Sequence, residues 1–108
     1  MNDEIVKALK DLGIPVSFQH YSGTVKTYIT FFNYDEENED SSEDEQEIEG
    51  YYPQIDVWSN GDYTDLVKQV KTAMINAGYE FTNGQDLFED NTKTYHKALR
   101  FFKANFLF

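Results

Sequence analysis

A chain of 108 residues makes one domain and not two, because halving it would leave neither part enough apolar surface to offset the entropy lost on folding. It holds no cysteine, which excludes a disulfide framework, a thiolate metal site and a cysteine nucleophile. The formal charge of −11 is concentrated: residues 35–49, DEENEDSSEDEQEIE, carry ten of the twenty acids and none of the nine bases, so the remaining body is nearly neutral and has no basic face for nucleic acid.

Nine Phe and eight Tyr let few residues fill a core, since each ring buries roughly 150–250 Å². No stretch approaches the roughly 18 apolar residues of a membrane span, and MNDEIVKALKDLG is charged and amphipathic rather than signal-like. The expectation is a soluble protein made in a cytoplasm, with no membrane partner.

In chain order, Ile5, Val6, Leu9 and Leu12 fall at helical spacing and predict a first helix over about Asp3 to Leu12, ended by Gly13 and Pro15. Val16 to His20 reads as a short strand, and Ser22-Gly23 as the turn of a hairpin into a second strand over Thr24 to Tyr34. Residues 35–47 are predicted to be a flexible acidic loop, as like charges repel and nothing apolar intervenes before Ile48. A third strand over about Glu49 to Ser59 pairs antiparallel with the second.

Asp62 is placed to cap a second helix, where Tyr63, Leu66, Val67, Val70, Ala73, Met74 and Ala77 form an apolar stripe and Lys68, Gln69, Lys71 and Thr72 point away. Gly78 closes it. Tyr79 to Phe81, Gln85 to Glu89 and Thr94 to Phe102 read as strands, with breaks at Asn83-Gly84 and Asp90-Asn91 and a hairpin at the end. The fold class is therefore α+β in order α-β-β-β-α-β-β, with room for one more short strand after the second helix, a mainly antiparallel sheet with two helices packed on one face. Tyr28, Thr30, Phe32 and Tyr34 share one side of their strand while Ile29 and Phe31 share the other. Apolar residues on both sides imply that another subunit covers the helix-free face.

Chemistry is hard to find. A twelve-residue calcium loop begun at Asp35 has Asp40 where a glycine is required, so no cation cage is specified. His20 and His96 lie outside any metal-binding spacing. Asp56, between Ile55 and Val57, needs a partner if buried, and Arg100 or His96 on a neighbouring strand offers one as a structural pair. No phosphate loop or nucleophile–base order is present. The expectation is no enzyme, no cofactor and no metal.

The run from Tyr52, Gln54, Ile55, Asp56, Val57 and Trp58, through the helix Tyr63 to Gly78, to Asp86, Leu87, Phe88, Glu89, Tyr95, His96, Lys97, Leu99, Arg100 and Phe101 resembles the tail-completion proteins of long-tailed bacteriophages and prophages, also called tail terminators or head-to-tail joining proteins. The resemblance implies a single structural domain over residues 1–108 that caps the head-proximal end of the tail tube as a ring, commonly sixfold, and joins head to tail. It implies as partners further copies of the chain, the major tail tube protein and the head connector or neck protein. The location is then the virion, at the tail–head interface, after assembly in the bacterial host cytoplasm. Trp58, Lys68, Lys71, His96 and Arg100 are the residues expected to meet partners. Two alternatives stand beside it: an acidic DNA mimic that inhibits a DNA-binding protein, and a neighbouring head-completion or neck adaptor.

Overall fold

The computed structural model describes residues 2–38, 48–90 and 93–106. Helix α1 (Asn2–Leu9) tightens into a 3₁₀ turn at Lys10–Leu12 and stops at Gly13, whose φ of 73° is the left-handed conformation that glycine takes at low cost. Strands β1 (Val16–Phe18), β2 (Tyr28–Asn38) and β3 (Ile48–Ser59) follow, then helix α2 (Thr64–Asn76) and strands β4 (Glu80–Glu89) and β5 (Thr94–Phe106). The five strands form one sheet in the order β1-β2-β3-β5-β4. All neighbours are antiparallel except β1 and β2.

Ile5 and Leu9 of α1 and Val67, Val70 and Met74 of α2 pack on Ile29, Phe31, Ile55, Val57, Leu99 and Phe101 of the sheet. Because side chains alternate along a strand, one face collects these residues and the other collects Tyr28, Thr30, Phe32, Gln54, Asp56, Trp58, His96, Ala98 and Arg100. Each fully buried side chain contributes about 1.5–3 kcal/mol, so both helices belong to one core.

Helix α2 starts one residue later than expected, with Tyr63 at its N-cap position and Asp62 just ahead of it. The Asp62 carboxylate accepts from the Thr64 amide at 2.9 Å and from its hydroxyl at 2.7 Å. At the other end Gly78, with φ 98°, donates to the Ile75 carbonyl and Tyr79 to that of Met74, a Schellman closure that buries Tyr79 beside Met74. Lys103 Nζ, on β5, reaches Glu4 at 2.6 Å and the Ala77 carbonyl at 3.2 Å, tying α1, the end of α2 and β5 together. Burial alone would raise the Glu4 pKa, but the hydrogen bond and the charge of Lys103 outweigh it and hold the carboxyl low.

Three expectations change. The first strand pairs parallel to the second, Val16 with Ile29 and Phe18 with Phe31, instead of forming a hairpin at Ser22-Gly23. The strand is only three residues, about 10 Å, so the nine residues 19–27 suffice to bring the chain back along it. The reversal starts at Gln19, with φ 63°, which donates to the Phe31 carbonyl at 2.8 Å. The Asn83-Gly84 dipeptide does not break β4; the register shifts between Phe81 and Asn83, and Thr82 donates its hydroxyl to the Arg100 carbonyl at 2.9 Å. A Cβ at Gly84 would stand 3.2 Å from Leu99 Cδ2, so glycine there allows close packing.

Finally, β2 runs on to Asn38, opposite Glu49, so the ladder takes in the first four residues of the acidic run. The rest of the expected loop lies outside the described residues. Together β2, β3 and β5 make an arm that lengthens the molecule to 50 × 27 × 23 Å, with a radius of gyration of 15.1 Å against about 13 Å for a compact chain of this length.

Candidate assembly surfaces

The helix-free face is a paved surface. Tyr21 stacks on Tyr28 with centroids 4.4 Å apart, Tyr28 lies 5.9 Å from Trp58, and the Trp58 indole stacks on the His96 ring at 3.8 Å and 13°. Beneath this row runs a polar chain. Asp56 Oδ1 accepts from Gln54 Nε2 at 2.8 Å and pairs with His96 Nε2 at 2.7 Å, and Arg100 Nε donates to Gln54 Oε1 at 2.9 Å. Trp58 Nε1 donates to Thr30 Oγ1 at 3.0 Å.

Asp56 is only 4% exposed although no helix covers it, because the large side chains around it form the roof. The expected partnership of Asp56 with a histidine or arginine is met by His96, with Arg100 one link further along. Arg100 in turn lies 4.4 Å from the Tyr34 ring centroid, and Tyr34, Tyr52 and Phe102 continue the aromatic paving toward the arm. Each residue of this polar chain makes at least one hydrogen bond, which orients the indole, imidazole and guanidinium for meeting another surface.

The second surface lies on the opposite side, along α2 and β4. All ten β4 residues are exposed, and among the described residues its outer edge has no neighbouring strand. Phe81 and Phe88, with Tyr95 beside them, are between 38% and 46% exposed, far from the burial that such side chains reach in a core. Between β4 and α2 a cleft of about 300 Å³ is lined by Tyr63, Thr64, Val67, Lys68, Lys71, Asp86 and Lys97. Asp86 accepts from the Tyr63 hydroxyl at 2.8 Å and pairs with Lys97 at 3.2 Å. Burial first, and then Asp86, push the Tyr63 phenol from 10.0 up to about 12.

That shift has a sign that can be measured. The folded state prefers the neutral phenol, so the contribution is whole below pH 10.0 and is lost as the pH rises through about 12. A spectrophotometric titration is expected to show one tyrosine ionising near 12, and Asp86→Asn is expected to bring it down part of the way because burial remains.

The five residues expected to meet partners thus divide in two. Trp58, His96 and Arg100 are brought together on the helix-free face, while Lys68 and Lys71 line the cleft on the other side. Lys71 was expected among the outward-pointing residues; it is half-buried and folds its ammonium to 4.4 Å from the Phe81 ring centroid, as long amphipathic side chains do. Sequence reasoning missed Gln54 and Thr30, although both share the alternating side of Asp56. It also missed the Tyr63–Asp86–Lys97 group, for which residues 23 and 34 positions from Tyr63 give no spacing signal. Among the described residues no group of three or more His, Cys, Asp or Glu is placed to hold a metal ion.

Comparison with curated proteins finds no match in sequence. Among solved structures, a chain of the virion of a native gene transfer agent particle is similar in fold, with a TM-score of 0.61 over 90% of this chain and 82% of that one, at 15% identity. The family model for tail completion protein gp17 matches residues 4–102, from α1 through most of β5. A match of that extent, over all the elements that build the two surfaces, makes this chain a member of the tail completion protein gp17 family, with a structural role in phage assembly.

Proposed function

We propose that the protein caps the head-proximal end of the tail tube as a ring, ends its growth and presents the surface on which the head docks. Its partners are then further copies of itself, the major tail tube protein and the head connector or neck protein, and its place is the tail–head interface of the virion. The observation that carries this reading is the presence of two solvent-open surfaces on opposite sides of one small domain, a paved sheet face and an uncovered β4 edge with its cleft. A ring subunit needs two such surfaces for its neighbours and at least one end for the tube. Six bodies 27 Å wide in contact around a circle leave an opening of the same width, enough to pass duplex DNA.

Interfaces of this kind must stay open until a tube end offers a template, so the isolated protein is expected to sediment as a monomer or a loose mixture and to form rings mainly on tails. Electron microscopy of tails made with and without it tests the role: without it, tails are expected to lack a ring, to vary in length and to fail to join heads. Tails of normal length that join heads in its absence, or a stable isolated dimer with a large dry interface, would count against the reading.

A further inference from the structure

The cleft between α2 and β4 gathers three of the nine bases of the chain, Lys68, Lys71 and Lys97. One aspartate, Asp86, opposes them and is already engaged with Lys97 and Tyr63. Elsewhere in the same chain residues 35–49 hold ten acids and no base, and the described part of that run, Asp35–Asn38 with Glu49, sits on the arm of β2 and β3. The charge of the cleft and the charge of the arm are complementary, and the sheet keeps them apart within one molecule.

Asn38 pairs with Glu49 and Glu49 with Asn105, so the arm ends eight residues along β5 from Lys97. At about 3.4 Å per residue that is about 27 Å, and three strand spacings of about 4.8 Å add about 14 Å across the sheet. The described end of the arm, at Asn38 and Glu49, therefore lies about 30 Å from its own cleft. Another copy has no such restriction.

We infer that the acidic β2–β3 arm of one subunit docks into the Lys68–Lys71–Lys97 cleft of the next, and that this contact builds the ring. The inference rests on the ring reading above and names its interface. Arm and cleft are different surfaces at different ends of the molecule, so the contact is head-to-tail; it propagates in one direction and closes into a ring when the rotation per subunit divides the circle. The outer edge of β4 is the poorer seat for the arm, since Glu80 and Glu89 would face its carboxylates. Charge complementarity of this sort chiefly sets encounter rate and register, which suits a subunit that must assemble on a template and not before.

The absence of cysteine makes the test clean. Glu37→Cys and Lys68→Cys are introduced together, rings are assembled on tail tubes, and a short bis-maleimide linker is added before a denaturing gel. The expected result is a ladder of covalent oligomers ending at the subunit number of the ring, with either single variant remaining monomeric. Rings visible on tails whose chains stay monomeric on the gel, or link only within a chain, would overturn the arm-to-cleft contact and leave the ring reading standing. No ring on tails with the unaltered protein would overturn both. As a second measure, Lys68→Glu with Lys71→Glu is expected to lower ring occupancy on tails about tenfold, and adding Glu36→Lys with Glu37→Lys to restore it. A folded quadruple variant, checked by circular dichroism, that does not recover would equally overturn the inference.

Discussion

Val70→Asp is expected to unfold the domain at 25 °C, while Lys71→Asp next to it leaves the fold in place. Val70 is fully buried at the centre of the α2 stripe, against the sheet. A carboxylate there loses its hydration without gaining a partner, at a cost well above ~3 kcal/mol, which is a large part of the ~5–15 kcal/mol that holds a small domain together. Lys71 has its ammonium over Phe81 and its stem on the rim of the cleft, so losing it costs about 0.5–1 kcal/mol. Circular dichroism separates the two: loss of the helical signal in the first variant and a small fall in melting temperature in the second. A cooperatively folded Val70→Asp protein would sink the placement of α2 described above.

Asp56→Ala is expected to cost about 3 kcal/mol, and Asp56→Asn only about 1 kcal/mol. The alanine leaves Gln54 Nε2 and His96 Nε2 without the oxygen that both now contact, within 2.8 Å, at a site that water barely reaches. The asparagine keeps an oxygen of the same reach. Urea unfolding midpoints of the two variants give the comparison, and equal stabilities would show the polar chain to be idle. Since Trp58 stacks on His96, the alanine is also expected to shift the fluorescence of the single tryptophan, which reports on the paving without any assembly assay.

Legibility in the sequence followed the range of the cause. Helix α2 could be read because Asp62, its apolar stripe and Gly78 act within a few residues of one another, and so could the two-sided β2, whose Ile29 and Phe31 face the helices while Tyr28 and Phe32 do not. The Asp56 pair was legible as a need, since a buried acid must be matched, and the partner came from the next strand but one in sequence. The parallel β1 was not legible: Ser22-Gly23 is a genuine turn signal, and the pairing is decided by the shortness of Val16–Phe18, which local residues do not announce. Asn83-Gly84 was misread for the related reason that a turn dipeptide can be absorbed as a bulge when β5 supplies a complete partner. Of the candidate surfaces, the residue types were readable and their division between two sides was not. That division depends on which sheet face the helices take.

The uncovered β4 edge has a colloidal consequence. Any exposed row of strand amides and carbonyls is open to whatever strand arrives first, and a protein waiting for a template must keep chance partners off. Here the bulge at Thr82 interrupts the row and Glu80, Asp86 and Glu89 ring it with negative charge, so two molecules approaching edge to edge repel. The guard is a proton-sensitive one. As carboxylates are neutralised in acid it weakens, with Asp86 holding its charge to lower pH than an ordinary aspartate because Tyr63 and Lys97 hydrogen-bond to it. Solutions of this protein should thus stay clear near neutrality and turn turbid in mild acid, through strand addition at β4 and while the core is still folded.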